Sequence, residues 1–452
     1  MLEKVLVANR GEMAVRVIRA CHDLGIGTVA IYSEADADSL PVQMADETVC
    51  IGPAASSASY LNVPNIIGAA LNTGADSVHP GAGFLAENAY FAEVCARYNL
   101  TFVGPDPDTI RALGDKVQAR AAAAAAGLPV VPGSEEPVRD ATHAREVARE
   151  IGFPVVLKAA AGGGGRGIRP VSDPDELTGL FSLAQAEARA SFGSGDIYVE
   201  RLIQAPRHVE VQVIGDSTSV IHAWHRECSI QRRYQKLVEE APAPNLPNGL
   251  SERITQAAVR LMHAVGYRSA GTVEFLVDAN GEFFFMEANA RIQVEHPITE
   301  AITGLDVVGA QLRIAGGETL DLWQDDVGRN GHAVEFRLTA EDPTRDFRPD
   351  SGRITRLHLP GGYGVRVDTH IFAGYEVPPF YDSLLAKLIV WGETRAEALE
   401  RARRALAETV VEGPATNLAF HQAVLDDAQF AEGSYDVGYV EALQDRVAGV
   451  TA

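Results

Sequence analysis

The sequence predicts a mixed α/β fold in three consecutive parts, and three stretches carry that prediction. "KVLVANRGEMAVRVIRACHDLGIGTVAIYS" (Lys4 to Ser33) runs from an apolar strand through a loop and a helix-like segment to a second β-branched run. That is a βαβ unit, which implies a parallel, Rossmann-like sheet at the N-terminus. "KAAAGGGGRGIR" (Lys158 to Arg169) sets a glycine run between two strand-like segments. "GTVEFLVDANGEFFFMEANARIQVEHP" (Gly271 to Pro297) reads as a β-hairpin followed by an alternating polar row.

The first part extends through "DSVHP" and "LTFVGP" to about residue 113. Its first turn, "ANRGE", lacks the glycine spacing of a dinucleotide fingerprint, so the βαβ unit alone gives no function. A second part, 114–329, opens on "GDKVQARAAAAAAGLP", a strong helix former closed by glycine and proline. A third part, 330–446, begins near "GRNGHAVEFRL". It carries "TRAEALERARRALAETV" (Thr394 to Val410), an amphipathic surface helix. With 452 residues the chain is longer than one hydrophobic core usually serves.

Composition narrows the class. Hydrophobic residues are 46% and charged residues 22% of the chain, ordinary for a soluble globular protein, and no apolar run is long enough for a membrane span. The N-terminus is no secretory signal. Cys21, Cys50, Cys95 and Cys228 are scattered, as suits a reducing cytoplasm rather than a disulfide framework or zinc site. A formal net charge of −22 argues against nucleic-acid binding, so an anionic ligand needs a local island of lysine and arginine.

The glycine run is not a Walker loop, and no helix follows it. It reads as strand, glycine loop, strand: a flap whose backbone N–H groups could cover phosphates, with Lys158 as a point charge beneath. In the hairpin, a two-residue Asn280-Gly281 turn sets Glu274 opposite Glu287. A four-residue loop makes them diagonal neighbours. Either register puts both carboxylates on one face, where they repel unless a cation such as Mg²⁺ lies between them. Beyond them Glu287, Asn289, Arg291, Gln293 and Glu295 share one parity, a row of roughly 26 Å if extended. "CSIQRRYQK" concentrates positive charge as a possible anion site, and "PRHVEVQVI" alternates His208, Glu210 and Gln212 with valines.

With "HPGAGFLAEN", "GDK", "EEAPAP", "FMEANARIQVEHPITE", "GHAVEFRLTAEDP" and "PPFYDSLLAKLI" added, nearly the whole chain resembles biotin carboxylase. This is the ATP-grasp component of acetyl-CoA carboxylase and related acyl-CoA carboxylases. The resemblance implies an N-terminal biotin carboxylase domain, a central ATP-grasp domain with a glycine-rich lid over about 131–203, and a C-terminal biotin carboxylase domain. It implies ATP under Lys116, Lys158, Gly164 and Gly165. The hinge Glu200, Arg201, Leu202 and Ile203 would read adenine, with His208 and Tyr234 nearby. It assigns Mg²⁺ or Mn²⁺ to Glu274, Glu287 and Asn289. Bicarbonate falls to Lys236, Arg291, Gln293, the Val294 backbone and Glu295, with Glu295 as general base, and the biotin ureido oxygen to Arg337.

Biotin would arrive on a separate carrier protein, with carboxyltransferase partners, and the family's usual state is a homodimer. This chain has Ala82 and Tyr234 where the family usually has tyrosine and histidine, and Ala161 where it has a fifth flap glycine. Two other readings remain open at this level: an ATP-grasp ligase that ignores biotin, and a nucleotide-binding protein without catalysis.

Overall fold

A computed structural model describes residues 2–160 and 167–450. Strands β1 (Lys4–Val7), β2 (Gly27–Tyr32), β3 (Glu47–Cys50), β4 (Ser77–His79) and β5 (Thr101–Phe102) form a parallel sheet in the order β3-β2-β1-β4-β5. β1 is buried on both faces, as its unbroken apolar run requires. Val5 and Val7 pack with helix Gly11–Asp23, and Leu6 faces the side of helix Val63–Thr73. The "ANRGE" turn is tied to the "HPGAG" loop: Asn9 Nδ2 donates to the carbonyls of Pro80 (2.7 Å) and Ala82 (2.8 Å). Gly81, at φ +64°, lies so close that a Cβ would stand 2.7 Å from that amide nitrogen. Only glycine fits there.

A small antiparallel sheet comes next, in the order β7-β6-β8, from β6 (Val155–Ala159), β7 (Ile168–Val171) and β8 (Ile197–Arg201). Helices Ala141–Ile151 and Leu177–Phe192 pack on it, and Val155, Leu157, Phe181 and Val199 give it a core of its own. The glycine loop joins β6 to β7, so the expected strand–loop–strand order stands. Gly164 and Gly165 lie outside the described residues.

The largest sheet is antiparallel. β9 (Arg207–Gly215), β10 (Val220–Arg232), β11 (Gln235–Ala241), β12 (Ser269–Val277), β13 (Phe283–Asn289) and β14 (His332–Thr339) take the order β13-β12-β9-β10-β11-β14. Strands Leu384–Gly392 and Val365–Thr369 complete it. The sheet therefore runs unbroken from the middle of the chain into its last third through the β11–β14 pairing. The amphipathic segment forms helix Arg395–Glu408, capped by the Thr394 hydroxyl and packed on Leu384–Gly392 through Ala398, Ala402 and Leu406.

The β12–β13 turn takes neither length posed by the sequence. Asp278 N–H donates to Glu282 O (2.9 Å) around a three-residue loop, with Gly281 at φ +78°. That odd length sets Phe275 opposite Phe285 and would turn Glu287 to the opposite face from Glu274. One extra residue, Met286, forms a β-bulge that restores the register, so Glu274 pairs directly with Glu287.

Glu240 anchors β11 from within. Its buried carboxylate accepts from His332 Nε2 (2.7 Å), Arg395 Nε (2.7 Å) and Nη2 (2.9 Å), and the Tyr435 hydroxyl (2.5 Å). Burial opposes its ionisation, but the bonds to His332 and Arg395 outweigh it and bring Glu240 from about 4.5 to about 2. A carboxylate depressed in the folded state contributes stability above its ordinary value and loses it as pH falls through the folded one. The contribution here is about 3 kcal/mol, lost between roughly pH 4.5 and pH 2. Urea midpoints measured across that window should fall steeply for the parent. Glu240→Gln should be weaker at neutral pH and lose much of that acid slope; an unchanged slope would refute the assignment.

Candidate active site

Three adjacent strands place three carboxylates side by side. Glu287 on β13 pairs with Glu274 on β12, which pairs with Glu210 on β9, which pairs with Arg226 on β10. Glu210 and Arg226 are fully buried. Arg226 satisfies its fork inside the sheet: Nε donates to Glu210 Oε1 (2.6 Å), Nη1 to Gln212 Oε1 (2.8 Å) and Thr299 Oγ1 (2.9 Å), and Nη2 to Thr272 Oγ1 (3.2 Å).

Glu274 is the hub. His208 Nε2 makes an ion-pair contact with it at 2.7 Å and Lys236 Nζ one at 3.3 Å. Asn289 Nδ2 donates to it at 2.8 Å and Gln293 Nε2 at 2.9 Å. Burial would raise its pKa, but Lys236 and His208 hold it well below the usual carboxylate range. Glu287 shifts the other way: enclosure in the cleft, then the charge of Glu274, pushes it up, and Lys116 is among the cations that ease it. The two carboxylates are therefore unequal. On Glu274 the protein cations outweigh burial; on Glu287 they do not.

The polar row departs from the extended geometry posed by the sequence. β13 ends at Asn289, and the chain bends before helix His296–Thr303, so the row folds back around Glu274. Arg291 holds the bend: Nη2 donates to Asn289 Oδ1 (3.0 Å), Nη1 to Gln293 Oε1 (3.0 Å), and Nε to Glu87 Oε2 (2.8 Å). Glu295, fully buried, lies between two cations. Lys236 Nζ is 2.6 Å from Oε1 and Arg337 Nη2 is 3.0 Å from Oε2. Burial opposes its ionisation, but Lys236, Arg337 and Arg226 outweigh it and hold Glu295 far below its ordinary value. Arg337 is aimed from behind by Glu239, whose Oε1 accepts from Nε at 2.6 Å. Burial pushes Glu239 up to about 7 despite Arg337.

On the lid side, Lys158 Nζ lies 2.5 Å from Glu200 Oε2, and Arg120 holds the other oxygen at 2.9 Å. Arg201 stacks its guanidinium over Phe284, and Leu202 N–H donates to Pro154 O. Ile203 is half-buried just beyond β8. Lys116 opens helix Lys116–Ala125, capped by the Asp115 side chain. His208, expected near adenine, makes an ion-pair contact with Glu274. Tyr234 is exposed at the tip of the β10–β11 turn. Of the basic stretch around it, only Lys236 enters the cluster; Arg232 and Arg233 pair with Asp346.

The sequence reading left Glu87, Arg226 and Glu239 without a role and gave Glu210 only a place in an alternating run. The signal for Glu210 was its parity with His208 in "RHVEVQV". The others depend on strand neighbours distant in sequence.

A small separate sheet that carries the glycine loop, together with a strand-borne acidic pair ringed by lysine and arginine, is the arrangement of an ATP-grasp ligase. The chain belongs to the biotin carboxylase family. Three family models match it: "Biotin carboxylase, N-terminal domain" over 1–110, "Carbamoyl-phosphate synthase L chain, ATP binding domain" over 115–323, and "Biotin carboxylase C-terminal domain" over 335–442. It is 52% identical over 442 residues to the biotin carboxylase of Nostoc sp., covering 98% of this chain and 99% of that one. It is 48% identical to a pyruvate carboxylase subunit from Methanothermobacter thermautotrophicus, covering 98% and 90%.

Among solved structures, biotin carboxylase from Campylobacter jejuni in a β,γ-ATP complex superimposes with TM-score 0.94 at 44% identity, covering 98% and 99%. The biotin carboxylase domain dimer of Hydrogenobacter thermophilus 2-oxoglutarate carboxylase, with MgADP, ADP and bicarbonate, gives TM-score 0.92 at 47% identity, covering 98% of each chain. The resemblance and the fold class read from the sequence hold.

Proposed function

We propose that this chain uses ATP and bicarbonate to carboxylate biotin presented on a separate carrier protein, the first half-reaction of an acyl-CoA or related carboxylase. The observation that carries this reading is Glu295 clasped between Lys236 and Arg337, one lysine away from the acidic pair. An anion-binding cation and an oxyanion-binding cation converge within hydrogen-bond reach of the one carboxylate that acts as base.

Glu274 and Glu287 fit a hard divalent cation, because Glu287 lacks the compensation that Glu274 has. Asn289 turns its amide nitrogen toward Glu274, so its oxygen joins the ligand set only after the amide flips. Bound Mg²⁺ or Mn²⁺ would supply charge neutralisation on the nucleotide phosphates.

The chain's own residues do the rest in this reading. Lys116 and Lys158 hold phosphates under the loop that includes Gly164 and Gly165, with Lys158 exchanging Glu200 for phosphate. The Glu200–Ile203 stretch and Tyr234 border the adenine, and His208 orients Glu274. Lys236, Arg291, Gln293 and the Val294 backbone fix bicarbonate. Glu295 removes its proton, and the oxygen attacks the γ-phosphorus as ADP leaves. The carboxyphosphate formed separates into CO₂ and phosphate. That phosphate takes the N1′ proton of biotin, and N1′ attacks CO₂ to give carboxybiotin. Arg337 stabilises the ureido oxygen while it carries negative charge.

We assign these roles within parts 1–113, 114–329 (lid about 131–203) and 330–446. A carrier protein and a carboxyltransferase are the partners. A homodimer in the cytoplasm is the working state, supported by the dimer named for the Hydrogenobacter relative. Among the described residues no helix is long and apolar enough to cross a membrane. Relatives named for pyruvate and for 2-oxoglutarate carboxylation show that similar chains serve different acceptors, so the proposal stops at carboxybiotin.

ADP release should require bicarbonate, rise with free biotin, stop in EDTA and return with Mg²⁺ or Mn²⁺. Turnover indifferent to bicarbonate and biotin would favour an ATP-grasp ligase of another kind.

A further inference from the structure

Two motifs, "ANRGE" and "LLAKLI", take no part in the chemistry above, yet one residue from each meets behind the bicarbonate loop. Lys387, on strand Leu384–Gly392, is fully buried. Its Nζ donates to the Val294 carbonyl at 2.9 Å and lies 3.0 Å from Oε1 of Glu12, on helix Gly11–Asp23. The nearby Glu335 carboxyl is also buried, and neither of its oxygens has a hydrogen-bond partner among the described residues. One ammonium thus joins the first part of the chain, the last part and the loop between β13 and helix His296–Thr303.

We propose that Lys387 is a positioning residue for bicarbonate, acting through the Val294 carbonyl with Glu12 as its anchor. This rests on the biotin carboxylase reading of the same site.

The physical case begins with the loop. Gln293 to Glu295 lie outside the strand ladder, so no neighbouring strand fixes their peptide planes. The Val294 residue is half-buried, and among the described residues the side chain that donates to its carbonyl is Lys387. Holding the Val294 oxygen fixes the plane of the 294–295 peptide. It therefore fixes the direction in which Glu295 leaves the backbone toward Lys236 and Arg337. Burying an ion pair rarely improves stability over an apolar pair of similar volume, so stability alone is a weak reason for this one. Glu12 keeps the ammonium from swinging toward Glu335 or Asp368, both of which act on its charge.

The test separates bicarbonate from nucleotide. The parent must first show bicarbonate-dependent ADP release with free biotin; failure there sinks the biotin carboxylase reading, before any variant is compared. Given that activity, Lys387→Met should raise KM for bicarbonate and lower kcat, for a loss of about 10- to 100-fold in kcat/KM for bicarbonate. KM for ATP should stay within about twofold. A folded Lys387→Met with unchanged bicarbonate kinetics, or with ATP and bicarbonate KM raised alike, overturns the proposal.

Should that variant not fold, Lys387→Met combined with Glu12→Gln removes both charges and still lacks the donor, so the same bicarbonate-specific loss is expected. Glu12→Gln alone, which keeps an oxygen beside the Lys387 ammonium but removes the charge, should show a smaller loss of the same kind, about threefold in kcat/KM for bicarbonate. Normal bicarbonate kinetics in either of these variants counts against the strut.

Discussion

Glu295→Gln is expected to lower bicarbonate-dependent ATP cleavage by about 10²- to 10⁴-fold, the usual range for a positioned general base. The substitution keeps the shape of the side chain, and its amide oxygen can still accept from Lys236 or Arg337. It cannot take a proton, and it leaves those two cations sharing less negative charge. Binding of ATP should change little, because Lys158 and Glu200 lie on the lid. Steady-state ADP release checks this directly. A loss below about tenfold would remove Glu295 from the role of base. The depressed pKa adds a second condition: Glu295 is already ionised at neutral pH, so a rate that falls between pH 8 and pH 6 must reflect another group.

Arg226→Met should be the most destabilising single change in the central sheet. Burying methionine costs nothing by itself, but the change leaves Lys236 as the one cation bonded to Glu210, beside Glu274, and takes the Arg226 donors from Gln212, Thr299 and Thr272. Removing one partner of a fully buried ion pair costs about 3–5 kcal/mol. A lowered urea midpoint of the corresponding size is expected. A companion Arg226→Met with Glu210→Gln should recover part of the loss, because Lys236 then serves two buried carboxylates instead of three. If the single variant unfolds at the parent's midpoint, the buried charge rank is not what holds these strands.

How far the sequence reached depends on the range of the interactions. The βαβ unit, the lid strands and the Arg395–Glu408 helix were legible because local periodicity and turn chemistry set them. The shared face of Glu274 and Glu287 was legible too, although for an incomplete reason: an odd loop and the Met286 bulge cancel, and neither is visible in a pattern of alternating residues. The row beyond Asn289 looked extended because alternation persists there. Arg291, Gln293 and Asn289 hydrogen-bond to one another and to Glu87 instead, which bends it. Arg226, Glu239 and Lys387 gave no local signal, since their meaning comes from strands and loops brought alongside from distant parts of the chain.

The pairing of β11 with β14 has an engineering consequence. A chain cut in two between them would give fragments that each bare a ladder of unmatched amide and carbonyl groups along a flat β rim. Such halves would behave as a split protein, recombining when mixed and clumping when kept apart. Neither could be transplanted elsewhere as a self-sufficient module.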